Sequence, residues 1–158
     1  MKVYVSGPMR GKTLYNFQQF EDVACWLKNA FGWEVTSAHD LAISNGEAQM
    51  SARFDCAGEY YTRRFKEVEL TPASNKQAMV RQMTDMDGIV MLPKWQESSG
   101  ACKELLVATL CGIKTFAVHP TENGFRMSTL VVDDKTLAML LNALLTNRLV
   151  KQIGRAHV

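Results

Sequence analysis

Residues 1–37 read MKVYVSGPMRGKTLYNFQQFEDVACWLKNAFGWEVTS, and this stretch decides the fold. Residues 2–6, KVYVS, are short, rich in β-branched and aromatic side chains and closed by glycine, which predicts a buried strand. In residues 13–31, Leu14, Phe17, Phe20, Val23, Ala24, Leu27 and Phe31 recur every three or four positions, which predicts a helix with one apolar face. Gly32 is placed to end it. Residues 33–37, WEVTS, are a second strand. Strand, helix and strand in that order favour a parallel pair joined by a right-handed crossover.

The rest of the chain repeats the rhythm after one interruption. Residues 40–75 mix charges, aromatics and glycines without a clean period, and so long an excursion in a compact domain suggests a lid or binding loop. Residues 75–86, NKQAMVRQMTDM, are expected to be helical, with Met79, Met83 and Met86 as core rather than metal ligands. Residues 88–92 form an apolar strand, 100–110 a helix stopped by Gly112, and 114–118 another strand. HPTENGFRMS reads as a polar loop followed by the short apolar stretch TLVV. A last helix over 135–149 is capped by Asp133 or Asp134. Strands alternating with helices predict one three-layer α/β domain spanning residues 1–158, with a central parallel sheet.

Composition narrows the function classes. The chain has 158 residues, 47% of them apolar, enough for one well-filled core. Its net charge of +2 is scattered, unlike the concentrated basic face of a nucleic-acid-binding protein. No apolar run reaches the ~18 residues of a membrane span, and the N-terminus lacks a signal-peptide pattern. Cys25, Cys56, Cys102 and Cys111 lack C-x-x-C spacing and read as reduced, mostly buried cytoplasmic thiols. The three histidines, His39, His119 and His157, have no ligand spacing, so neither a metal nor another cofactor is expected.

Ligands of parallel α/β sheets sit beyond the carboxyl ends of the strands. Three loops therefore matter: Ser6–Gly11, Ser37–Asp40, and residues 92–104, LPKWQESSGACKE. The first offers two glycines and Arg10, but it is neither a G-x-G-x-x-G fingerprint nor a P-loop, since Gly11-Lys12-Thr13 lacks the upstream glycine. In the third, Ser98-Ser99-Gly100 begins a helix, whose free N–H groups and dipole attract an anion. Glu104 follows near the same helix end. Each residue has a plainer reading: a tight turn with a solvated arginine, an N-cap serine, a surface glutamate.

VYVSGPMRG, the helix with NF-x-x-F, and DGIVMLPKW-x-x-SSGA-x-x-E together resemble the nucleoside 2-deoxyribosyltransferase superfamily over about residues 1–120. The similarity is greatest to its small branch common in phages and prophages, related to the deoxynucleoside monophosphate N-glycosidases. The resemblance implies a flavodoxin-like sandwich and a glutamate, here Glu104, that attacks C1′ of a deoxyriboside. It implies that Tyr4 stands beside the catalytic centre and that Gly7, Arg10 and Gly11 line the pocket. Ser98 would hold a 5′-phosphate, beside the helix-start amides of Ser99 and Gly100 that attract an anion on their own account, and His39 would line the pocket. Asp87 leads the third strand of the motif and is a further candidate ligand residue, with satisfaction of the strand start as its competing role. The implied ligand is a nucleoside or nucleotide, and the implied assembly a homodimer or larger homo-oligomer.

One departure stands out. Members usually carry an aspartate about eight residues before the strand-leading aspartate, where it orients or protonates the leaving base. Counting back from Asp87 gives Met79, between Ala78 and Val80. Two functions are therefore expected in competition: N-glycosidic cleavage or deoxyribosyl transfer, and binding that sequesters a nucleotide without chemistry.

Overall fold

The computed structural model describes residues 1–9, 16–38 and 80–156, with side chains as far as residue 145, and the backbone of four short strands between residues 48 and 67. Strands β1 (Lys2–Ser6) and β2 (Glu34–Ser37) flank helix α1 (Phe17–Phe31). The four short strands are β3 (Ala48–Gln49), β4 (Ala52–Phe54), β5 (Tyr60–Thr62) and β6 (Lys66–Glu67). Then come β7 (Gly88–Met91), a 3₁₀ turn (Trp95–Glu97), α2 (Ser99–Leu110), β8 (Lys114–Thr121), β9 (Gly124–Thr129) and α3 (Asp134–Ala156).

Five strands form the central sheet in the order β2-β1-β7-β8-β9. The first four are parallel and β9 is antiparallel to β8. The fold is thus an α/β sandwich of the flavodoxin-like kind, with a mixed rather than wholly parallel sheet. The polar loop expected after residue 118 is instead the end of β8, a two-residue turn at Glu122-Asn123, and β9. Gly124 sits at φ 142°, a backbone state that side chains disfavour, so it serves the turn exit.

Strand parity sorts the core into two layers. Val3 and Val5 of β1 join Val90 and Leu92 beside β7, and Phe20, Val23 and Leu27 of α1 cover them. Tyr4 points to the opposite face with Ile89 and Met91, where Leu105 and Ala108 of α2, Leu140 of α3, and Met83 and Met86 pack. Each fully buried large apolar side chain contributes roughly 1.5–3 kcal/mol. Gly88 sits where a Cβ would come 3.2 Å from the Phe116 ring and 3.3 Å from the Lys114 carbonyl, so a bare backbone lets β7 and β8 close up.

The helix ends follow the sequence. Gly32, at φ 67°, terminates α1 and its N–H donates to the Lys28 carbonyl at 3.0 Å. Asp133, rather than Asp134, caps α3: its Oδ1 accepts from the Thr136 N–H at 2.8 Å and from the Thr136 hydroxyl at 2.9 Å. These bonds hold its carboxyl below the ordinary 3.8. Residues 80–84 are helical, whereas Met79 lies outside the described residues. Within the 40–75 excursion the described backbone is antiparallel strand, β3 with β6 and β4 with β5. Of the described cysteines only Cys102 is buried; Cys25 is half-buried and Cys111 exposed.

Candidate functional site

The strand order reverses between β1 and β7: the chain leaves β1 toward β2 on one side and leaves β7 toward β8 on the other. Loops leaving those two strands in opposite directions open a crevice at their carboxyl ends. Glu104 is found there. It stands on the second turn of α2, and Ser6, the last residue of β1, donates its hydroxyl to Glu104 Oε1 at 3.1 Å. Ser6 is wholly buried, and Glu104 is half-buried with Oε2 shielded from solvent.

Local sequence explains how α2 reaches this point. β7 runs one residue past its last ladder position, with the Leu92 N–H donating to the Ser6 carbonyl at 2.8 Å. Lys94 then takes a left-handed conformation, φ 62°, and the 3₁₀ turn brings the chain to Ser98. Ser98 is the N-cap of α2: its Oγ accepts from the Ala101 N–H at 3.2 Å, and its carbonyl accepts from the Cys102 N–H at 3.0 Å. The N–H groups of Ser99 and Gly100 lie in the first turn, ahead of any intrahelical acceptor. Both residues are exposed. Gly100 precedes Glu104 by four residues, one turn or about 6 Å along the same helix face. Among the described residues a Cβ on Gly100 would meet nothing nearer than Ser98 Oγ at 3.9 Å.

The other face of α2's first turn is structural. Cys102 is buried, its thiol donates to the Trp95 carbonyl at 3.8 Å, and burial pushes the thiol's proton affinity up. That environment suppresses the thiolate that a nucleophile needs. Trp95 is itself buried in the core cluster with Tyr4, so its indole packs the loop.

The structure brings together Glu104, Ser98, Ser99 and Gly100 on one helix. Tyr4 lies on the same sheet face as Ser6, 2% exposed. Gly7 meets a packing need: a Cβ there would fall 2.6 Å from Leu92 Cβ. It lets the exit of β1 pass against β7. Asn16 at the head of α1 draws the same loop in, donating from Nδ2 to the Pro8 carbonyl at 3.0 Å. Asp87 is not brought into the group. It precedes β7 at the amino edge of the sheet, where its Oδ2 accepts from the Lys2 N–H at 2.8 Å. Four strand residues, about 13 Å, separate that edge from the carboxyl ends. Arg10, Gly11 and His39 lie outside the described residues.

Ser6 is the site residue that the sequence reading passed over. Its signal was a hydroxyl at the end of a strand, on the same parity as Tyr4. No group of three or more His, Cys, Asp or Glu side chains suited to a metal occurs among the described residues. Among them, too, no helix is long and apolar enough to cross a membrane.

Fold and site define an α/β protein whose doubly wound sheet carries a carboxylate at its topological switch point. A family model described as a domain of unknown function, DUF4406, matches residues 65–117, about a third of the chain, including β7, α2 and Glu104. No curated protein and no solved structure matches the chain.

Proposed function

We propose that the protein breaks the N-glycosidic bond of a deoxynucleoside or deoxynucleotide, with Glu104 as nucleophile. The observation that carries this reading is the Glu104 carboxylate held by Ser6 at the carboxyl end of β1, beside the switch point. In the first step a Glu104 oxygen bonds to C1′ as the C1′–N bond breaks. The bonding pair leaves with the base, which takes up a proton. In the second step water, or a second base, attacks C1′, the ester C–O bond breaks and the carboxylate is restored. A negative carboxylate suits the oxocarbenium-like charge on the sugar in both steps. The exposed start of α2 at Ser99 and Gly100 favours a 5′-phosphorylated substrate, since its N–H groups and dipole attract an anion. Binding at the phosphate would fix the sugar for attack.

The test is incubation with a panel of deoxynucleosides and their 5′-monophosphates, with chromatography for free base. Glu104→Gln is nearly isosteric but cannot form the glycosyl ester. Turnover should fall by about a thousandfold or more, with ligand affinity retained. Near-wild-type activity in that variant would remove Glu104 from the mechanism.

Sequestration of a nucleotide is the second reading. It is favoured by the sequence Ala78-Met79-Val80, which offers no carboxylate where the resembling family carries the aspartate that serves the leaving base. Nucleotide binding without base release from any substrate would establish it. Under either reading the ligand belongs to the cytoplasm. A homo-oligomer is part of the proposal: α3 buries Leu140 but leaves Leu141 45% and Leu145 56% exposed.

A further inference from the structure

We propose that Ser6 is a positioning residue for Glu104, a role that rests on the glycosidic reading of the site and deepens it. Ser6 ends a central strand, in register with Met91 of β7, and its carbonyl is fixed by the Leu92 N–H. Its hydroxyl hangs on a single side-chain torsion, so the strand dictates where the donor stands. Glu104 reaches the same point from a helix through three torsions, and its carboxylate needs an external tether to hold one orientation. The Ser6 Oγ to Glu104 Oε1 bond supplies such a tether, joining residues 98 positions apart.

The setting separates this role from plain filling of the core. Along its face of β1, Tyr4 belongs to the apolar cluster of Met91, Trp95, Cys102 and Leu105. Ser6, one step nearer the strand's carboxyl end, is wholly buried yet polar. A buried hydroxyl is tolerated where it is hydrogen-bonded, and this one donates to the carboxylate of the site. A donor to an ionised carboxylate makes a charge-assisted bond, stronger and more directional than a bond to a neutral acceptor. Ser6 touches neither sugar nor base in this scheme. It sets the rotamer from which Glu104 meets C1′.

The test compares Ser6→Ala and Ser6→Thr with wild type. In Ser6→Ala, kcat for base release should fall about tenfold, the loss expected for one such bond in the transition state, with KM within about twofold. Ser6→Thr keeps the hydroxyl and should recover most of the turnover. The second measurement needs no catalysis. A wild-type minus Glu104→Gln infrared difference spectrum isolates the Glu104 carboxylate band. The same difference taken in the Ser6→Ala background should place the antisymmetric stretch at higher wavenumber, because a donor has been removed. An unshifted band, or unchanged turnover in Ser6→Ala, overturns the proposal. A shifted band from a protein that releases no base upholds the tether and overturns the glycosidic reading instead.

Discussion

Replacing Gly7 by alanine tests how β1 leaves the sheet. An ideal Cβ at Gly7 stands 2.6 Å from Leu92 Cβ and 2.9 Å from its Cγ and Cδ1. Carbon atoms prefer about 3.5–4.0 Å, so the added methyl overlaps its neighbour by about 1 Å. Neither partner yields easily. Leu92 is fully buried against Val5, Phe20 and Val118, and its N–H is tied to the Ser6 carbonyl at 2.8 Å. Overpacking of this kind costs about 1–3 kcal/mol. The stiffer unfolded chain of an alanine variant offsets about 0.4–1 kcal/mol of that. The net loss is about 1–2 kcal/mol, and at about 2–4 °C per kcal/mol for a domain of this size Tm falls by roughly 2–8 °C. Gly100→Ala is the matched control. Its Cβ has no contact nearer than 3.9 Å, and alanine favours the helix by up to about 1 kcal/mol, so Tm should hold or rise. Thermal unfolding and urea midpoints at unchanged m-value measure both. A Gly7→Ala protein as stable as wild type, or equal losses in the two variants, would refute the close-approach argument.

Two further outcomes are expected. The Asp133 cap has its carboxyl affinity lowered by the Thr136 bonds, so its contribution to α3 is complete above the ordinary value of 3.8 and fades as pH falls through the lower folded value; Asp133→Ala should lose helix stability at neutral pH and little near pH 2, as read by circular dichroism against pH. Leu141→Glu places a charge on the exposed side of α3, and light scattering at micromolar concentration should show a smaller assembly than wild type; a wild-type monomer would count against the homo-oligomer.

Much of the frame was legible because it is local. The 2–6 strand, the apolar period of α1, its glycine stop and the Asp cap of α3 are set by side-chain spacing and backbone propensity within a dozen residues. The β8–β9 hairpin was missed although Asn123-Gly124 marks it. β9 is the sheet's edge strand and the end of β8 runs past its pairing with β7, so this part is half in solvent and carries His119, Pro120 and Arg126 where a buried strand would be apolar. Glu104 stood out through the family resemblance, its place after a Ser-Ser-Gly helix start alone fitting a surface glutamate as well, and Asp87 through its lead of the motif's third strand. The sheet set them at opposite ends and gave Asp87 the Lys2 N–H as its partner, because strand direction decides which loops face the crevice. Ser6 and Leu92 show the same limit from the other side. What each does depends on contact with a residue 98 or 85 positions away, Glu104 for Ser6 and Gly7 for Leu92. Strand parity put Ser6 on the face of Tyr4, but only the packing of α2 across the end of β1 gave its hydroxyl a carboxylate to hold.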